Sequence, residues 1–342
     1  MPRDYPENLQ ELERLFPDEA SCRNYLLRLR WPAGFVCPEC GEKAAWKTNR
    51  DLQTCKACGF QASLTAGTIF HGTRKPLALW FRAMWHITNQ KYGANAIGLQ
   101  RVLGLGSYHT AWEWMHKLRR AMVRPDRDRL KGYVEVDETF LGAKHRGGKR
   151  GRGAPGKIMV AVAVEIEIVD NKPKMGRIRL QRIKDASSQQ LLAFVQANVE
   201  EGSTIRTDGW EGYNVVASHG FTHDVSRASA NVGDDLLPRC HLVVSLLKRW
   251  FNGTYQGAVM PGHVDYYLDE FTFRFNRRKS KSRGLLFYRL VQQALIAGPV
   301  YGKEIEGGIY SPSRKKATSK RMTIVRELAS ETTTKTIFSQ EV

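Results

Sequence analysis

The period of the apolar positions changes once along this chain. Up to about residue 125 they recur every three or four residues; from residue 131 they alternate or run together, so helices precede strands. Leu9, Leu12, Leu15 and Phe16 fall on one helical face. Asp18 caps a second helix that ends near Trp31-Pro32, with Cys22 as a core thiol. Trp80, Phe81, Met84, Trp85 and Ile87 predict another helix with a broad apolar face. A helix, a glycine turn and a further helix follow. Ser107 is the N-cap of the last, and Trp112, Met115 and Leu118 are its inward positions.

The second half reads differently. Tyr133–Leu141 is short, alternating and β-branched, a buried strand. A basic, Gly-rich run at 144–157 leads into a long strand. A turn at 171–174 follows, then a third strand whose basic and apolar residues alternate, so that one face meets solvent or a polyanion. Asp185 and Ser187-Ser188 open a helix with Leu191, Leu192, Phe194 and Val195 inward. A fourth strand ends at Asp208, a short helix or turn intervenes, and a fifth strand closes near residue 225. Helices start just after Pro238 and at 263–278. Three antiparallel strands followed by parallel ones, joined by helical crossovers, predict an α/β fold: a ribonuclease-H-like mixed sheet flanked by helices. The first and fourth strands then lie side by side.

That neighbourhood carries chemistry. A carboxylate such as Asp137, in a strand of Val, Tyr and Phe, is costly unless a cation or a basic group answers it. Asp208 ends the fourth strand, so the two acids share a sheet edge, repel each other and attract hard divalent cations. Two such ions about 3.5 to 4 Å apart activate a water and stabilise the leaving oxygen of a phosphodiester. Upstream, Cys37-x-x-Cys40 and Cys55-x-x-Cys58 supply four thiolates at the spacing of a tetrahedral zinc ribbon. Such a ribbon binds DNA or only staples a small domain.

Charge narrows the partners. Lys plus Arg number 53 against 34 Asp plus Glu, a net charge of +19, which points to nucleic acid. With no apolar run of spanning length and no apolar leader, a membrane role is not expected, and the chain is expected in the cytoplasm, at the nucleoid. The helix pair before residue 125 reads as a DNA-binding helix-turn-helix or as an ordinary helical hairpin. Charge favours DNA, with Tyr108, His109, Lys117, Arg119 and Arg120 as contacts.

Several stretches taken together resemble a bacterial insertion-sequence transposase with an N-terminal zinc ribbon and a DDE-type catalytic domain. They are Asp137-Glu138-Thr139, Thr207-Asp208-Gly209-Trp210 with Tyr213, Ser245-Leu246-Leu247-Lys248-Arg249, Gly253-Thr254, and the run from Tyr267 to Arg278. The resemblance spans roughly residues 9–278. It implies the retroviral integrase superfamily, and metal-dependent nicking and strand transfer at the element's ends. It implies Mg²⁺ or Mn²⁺ in a two-metal site and structural Zn²⁺. The partners it implies are double-stranded DNA, both terminal inverted repeats and target, handled by a homodimer or larger assembly.

Residue by residue, Asp137 and Asp208 match the first two acids, and Lys248, beside Arg249 as a DNA contact, matches the basic residue after the third. The third acid departs from the pattern. His241 stands seven residues before Lys248 where glutamate is expected, and Asp234 and Asp235 lie earlier still. His241 is expected as the third member of the site, with Asp234 or Asp235 as the alternative. The expected partition is a helical lead-in at 1–34, a zinc ribbon at 35–72 and a helix-turn-helix region at 73–125. The catalytic domain follows at 131–300, and a peripheral or disordered tail at 301–342. Two other functions fit the same residues: a DNA-binding regulator whose α/β body is inactive, and a metal-dependent nuclease without strand transfer.

Overall fold

The computed structural model describes residues 4–124, 126–142, 157–226, 236–257, 260–308 and 310. The basic run at 144–156, Asp234, Asp235 and the chain beyond residue 310 lie outside the described residues.

Two short helices come first, α1 (Leu9–Leu15) and α2 (Glu19–Arg30). Asn8 and Asp18 cap them through the backbone N–H groups of Glu11 and Ser21, and Ser21 reciprocates toward Asp18. Next comes a small antiparallel sheet of β1 (Ala45–Lys47), β2 (Gln53–Cys55) and β3 (Gln61–Ala62). Three helices follow: α3 (Leu77–Asn89), α4 (Ala96–Leu103) and α5 (Tyr108–Ala121). Gly104, at φ 62°, ends α4 in a left-handed turn that glycine adopts without strain, and Ser107 then caps α5. Trp80 of α3 stacks on Trp114 of α5 at 3.9 Å.

The α/β body begins with β4 (Tyr133–Leu141), β5 (Ile158–Val169) and β6 (Lys172–Ile183). Then come α6 (Ser188–Asn198), β7 (Thr204–Thr207), a 3-10 helix at Glu211–His219 and β8 (Thr222–Val225). The strand order is β6-β5-β4-β7-β8. β4, β5 and β6 pair antiparallel, while β7 and β8 add in parallel. This is the mixed sheet expected from the sequence. Its side chains alternate as a pleat requires. Val160, Val162 and Val164 face α7 (Pro238–Tyr255) and α8 (Val264–Asn276), whereas Val134, Val136, Ala161 and Ala163 face α6 and the 3-10 helix. The Asn276 side chain closes the outer edge of β6. It accepts from Ile178 N at 2.7 Å and donates to Ile178 O at 3.2 Å.

The end of the chain departs from the expected partition. α9 (Arg283–Ile296) does not belong to the α/β core. Leu286, Phe287, Leu290 and Val291 bury among Phe16, Tyr25, Phe81 and Trp85 of the N-terminal helices. Each such side chain contributes about 1.5–3 kcal/mol by burial, so α9 and the N-terminal helices stabilise each other. Gly284 admits this docking: a Cβ there would lie 1.8 Å from the Pro6 carbonyl oxygen. The start of the expected tail is also docked. α10 (Gly302–Glu306) buries Ile305, and the Tyr310 hydroxyl donates to Asp269 at 2.8 Å.

Candidate active site and metal centre

The zinc ribbon is built by two backbone knuckles. Gly41 N donates to Cys37 O and Gly59 N to Cys55 O, with both glycines at positive φ (80° and 70°). Each turn brings its two thiols to one point. Cys37 Sγ lies 3.6 Å from Cys58 Sγ, and Cys40 Sγ lies 3.6 Å from Cys55 Sγ. Four sulfurs on 2.3 Å bonds at tetrahedral angles stand about 3.8 Å apart, so this cluster fits Zn²⁺. Among the described residues it is the one group of three or more ligating side chains whose ligand atoms all lie within 4.8 Å of one another.

The acids are placed by two paired strands. β4 and β7 pair with a constant offset of 71 residues: Tyr133 with Thr204, Val134 with Ile205, Glu135 with Arg206. The pairing ends there; β7 stops at Thr207 and Asp208 follows directly, while Asp137 lies two residues farther along β4. Asp137 points toward α7, where His241 Nε2 stands 3.5 Å from its Oδ2. Burial lifts the Asp137 carboxyl to about 6, an effect that Glu138 and Asp208 strengthen and that the Glu138 N–H and His241 oppose. Asp208 is exposed, and its Oδ1 accepts from Trp210 N at 3.0 Å, which fixes the turn leaving β7.

Glu135 was not foreseen. It is two residues before Asp137, hence on the same face of β4, and it is 1% exposed. It accepts from Arg239 N at 2.9 Å and Cys240 N at 3.1 Å, and the Arg239 guanidinium lies 3.2 Å away. These are orphan donors of the first turn of α7, which opens at Pro238 with no side-chain cap of its own. The carboxylate of one strand thus anchors the helix that carries His241. The period-two spacing of Glu135 and Asp137 was the available signal. On the opposite face of β4, Glu138 accepts from the Tyr213 hydroxyl at 3.0 Å. Ser245, Lys248 and Arg249 are exposed along α7.

The expected DNA contacts of α5 are corrected. Arg119 and Arg120 are 2% and 4% exposed. Arg119 Nε pairs with Glu270 Oε2 of α8 at 2.9 Å, and Arg120 lies 3.7 Å from Asp269. Lys117 pairs with Glu113 on its own helix at 2.6 Å. Beyond Tyr108 and His109 in its first turn, every side chain of α5 is buried or half-buried. It is a core helix that packs on α4 and α9 and is tied to α8 by its arginines. Helical period marked α5 as amphipathic but could not show that two acids of α8 arrive to neutralise its arginines.

No helix among the described residues is long and apolar enough to cross a membrane. Compared with known families, residues 129–276 match the ISXO2-like transposase domain and residues 17–61 match the transposase zinc-ribbon domain. No curated protein matches the chain. The two matches fall on the sheet that carries the acid pair and on the four-cysteine cluster, in the order the sequence presents them. The chain therefore belongs to the insertion-sequence transposases that carry a zinc ribbon ahead of a DDE-type domain.

Proposed function

We propose that this transposase binds the terminal repeats of its element and carries out metal-dependent hydrolysis and strand transfer of DNA phosphodiesters at Asp137, Asp208 and His241. The approach of His241 to Asp137 at 3.5 Å, on a strand paired with the one that Asp208 follows, supports this reading. Two carboxylates and one imidazole are a donor set suited to a divalent cation. Asp137 and Asp208 would hold Mg²⁺ or Mn²⁺, whose charge favours a nucleophilic hydroxyl and a leaving oxyanion. The His241 nitrogen inclines the set toward Mn²⁺ over Mg²⁺. Glu135 fixes the start of α7 and so holds His241 over the edge. Lys248 and Arg249, exposed farther along α7, engage the phosphate backbone. Because two DNA ends are joined in one event, the working form is a dimer or larger.

The test is incubation of the full chain with DNA carrying the element's ends and Mn²⁺ or Mg²⁺, scoring cut and joined products separately. Joined products are expected, and Asp137→Ala and Asp208→Ala should each abolish them while DNA binding persists. Cutting without joining would reduce the function to a nuclease. Cleavage retained in both variants would remove these acids from the site.

A further inference from the structure

Next to the acid pair lies a cleft of about 630 Å³ that none of the chemistry above uses. Its floor is the end of the sheet, where Phe140 of β4 pairs with Met159 of β5, and Met159 with Ile183 of β6. Trp210, two residues past Asp208, forms one wall, steadied by its Nε1–H donating to Ala186 O at 2.9 Å. Three cations stand around it: Lys157, Arg182 and Lys184. Arg182 pairs with Asp265 at 2.9 Å, whereas Lys184 is exposed and Lys157 half-buried. Asp185 is the single acid among the described lining residues, and its carboxylate accepts from Ser187 N at 3.0 Å. The cleft is linked to the catalytic edge. Trp210 makes that link, since it lines the cleft and follows Asp208 by two residues.

Cations around a concave pocket with aromatic walls are how proteins hold unpaired nucleic acid: phosphates meet the charges and a base stacks on a ring. The volume falls within the roughly 300–1,000 Å³ typical of small-ligand sites, far too small for a duplex, so a base must leave its stack to enter. We propose that the cleft takes one unstacked nucleotide of a DNA single strand beside the reacting phosphodiester, its base against Trp210 and Phe140 and its phosphates on Lys157, Arg182 and Lys184. This rests on the reading that Asp137 and Asp208 act on DNA.

The experiment measures fluorescence anisotropy of a labelled single-stranded oligothymidylate, and of a duplex of equal length, with the full chain in EDTA so that no cleavage occurs. Trp210→Ala should weaken single-strand binding about 5- to 150-fold, the range of one lost base stack, and leave duplex binding nearly unchanged. Trp210→Phe should retain most of the affinity. Lys184→Ala, at an exposed position that does not threaten folding, should flatten the salt dependence of single-strand binding by about 0.7 in log–log slope. If Trp210→Ala and Lys184→Ala both bind the oligothymidylate as the parent does, or lose both DNA forms by the same factor, the cleft is not a nucleotide site. The joining assay with metal is independent. Joining without cleft dependence overturns only this proposal, and cleft-dependent binding without joining overturns only the catalytic reading.

Discussion

Arg119→Met removes a charge that the fold, rather than DNA, uses. In the native chain Arg119 Nε lies 2.9 Å from Glu270 Oε2, and its Nη2 donates to the Tyr255 hydroxyl at 3.2 Å. Its guanidinium also sits 4.2 Å from the Tyr267 ring centroid, and Glu270 is 0% exposed. Methionine keeps the aliphatic volume but leaves Glu270 with fewer partners in a dry interior. Breaking a buried ion pair costs about 3–5 kcal/mol. Arg274 Nε remains 2.8 Å from Glu270 Oε1, so the low end, about 3 kcal/mol, is expected. With a urea slope of about 3 kcal/mol per molar, the midpoint falls by about 1 M. Tryptophan fluorescence follows this transition because Trp80 and Trp114 stack in the same helical core. Adding Glu270→Gln to the variant removes the stranded charge and should recover about half of the loss. DNA affinity of the folded variant should equal that of the parent. An unchanged urea midpoint together with weakened DNA binding would refute the burial argument and return Arg119 to the DNA surface.

Three further outcomes follow from the sites. Asp137→Asn should stabilise the metal-free chain at pH 7 by up to about 3 kcal/mol, because burial raises this carboxyl from 3.8 to about 6. A raised acid binds protons more readily folded than unfolded, so its stability contribution falls as pH climbs from about 4 to about 6; urea midpoints should show the gain above that window and none below it. The purified chain should carry one zinc per molecule by elemental analysis, and Cys40→Ser or Cys58→Ser should lower that ratio; absence of stoichiometric zinc in the parent would rule the cluster out as a metal site. His241→Glu should raise Mg²⁺-supported cleavage relative to Mn²⁺, since a hard oxygen replaces a nitrogen donor, and an unchanged metal ratio would argue against His241 as a ligand.

How legible each site was depended on the range of the contacts that build it. The zinc cluster was readable because each pair of thiols sits within one turn, so spacing alone fixes the local geometry. The helix–turn–helix outline at α4 and α5 was readable for the same reason, yet its role was not. Tyr108 and His109 remain outside, while Arg119 and Arg120 turn inward to Glu270 and Asp269, about 150 residues away in sequence. α9 falls within the span expected for the catalytic domain yet packs on the N-terminal helices, a choice of core that sequence spacing does not specify.

The sequence by itself determined the order of helices and strands, the mixed sheet and the four thiolates. Periodicity and short spacings are properties of the local backbone, and the crossover rules leave few topologies for that order. Tertiary structure alone decided which charges are buried and which face solvent. It brought Glu135 beneath the first turn of α7, set His241 3.5 Å from Asp137, and buried the arginines of α5 against α8. A charged side chain reads the same in sequence whether it meets water, a phosphate or a distant carboxylate. Only packing determines which of these it meets, because desolvation makes a charge tolerable inside when, and only when, a partner arrives with it.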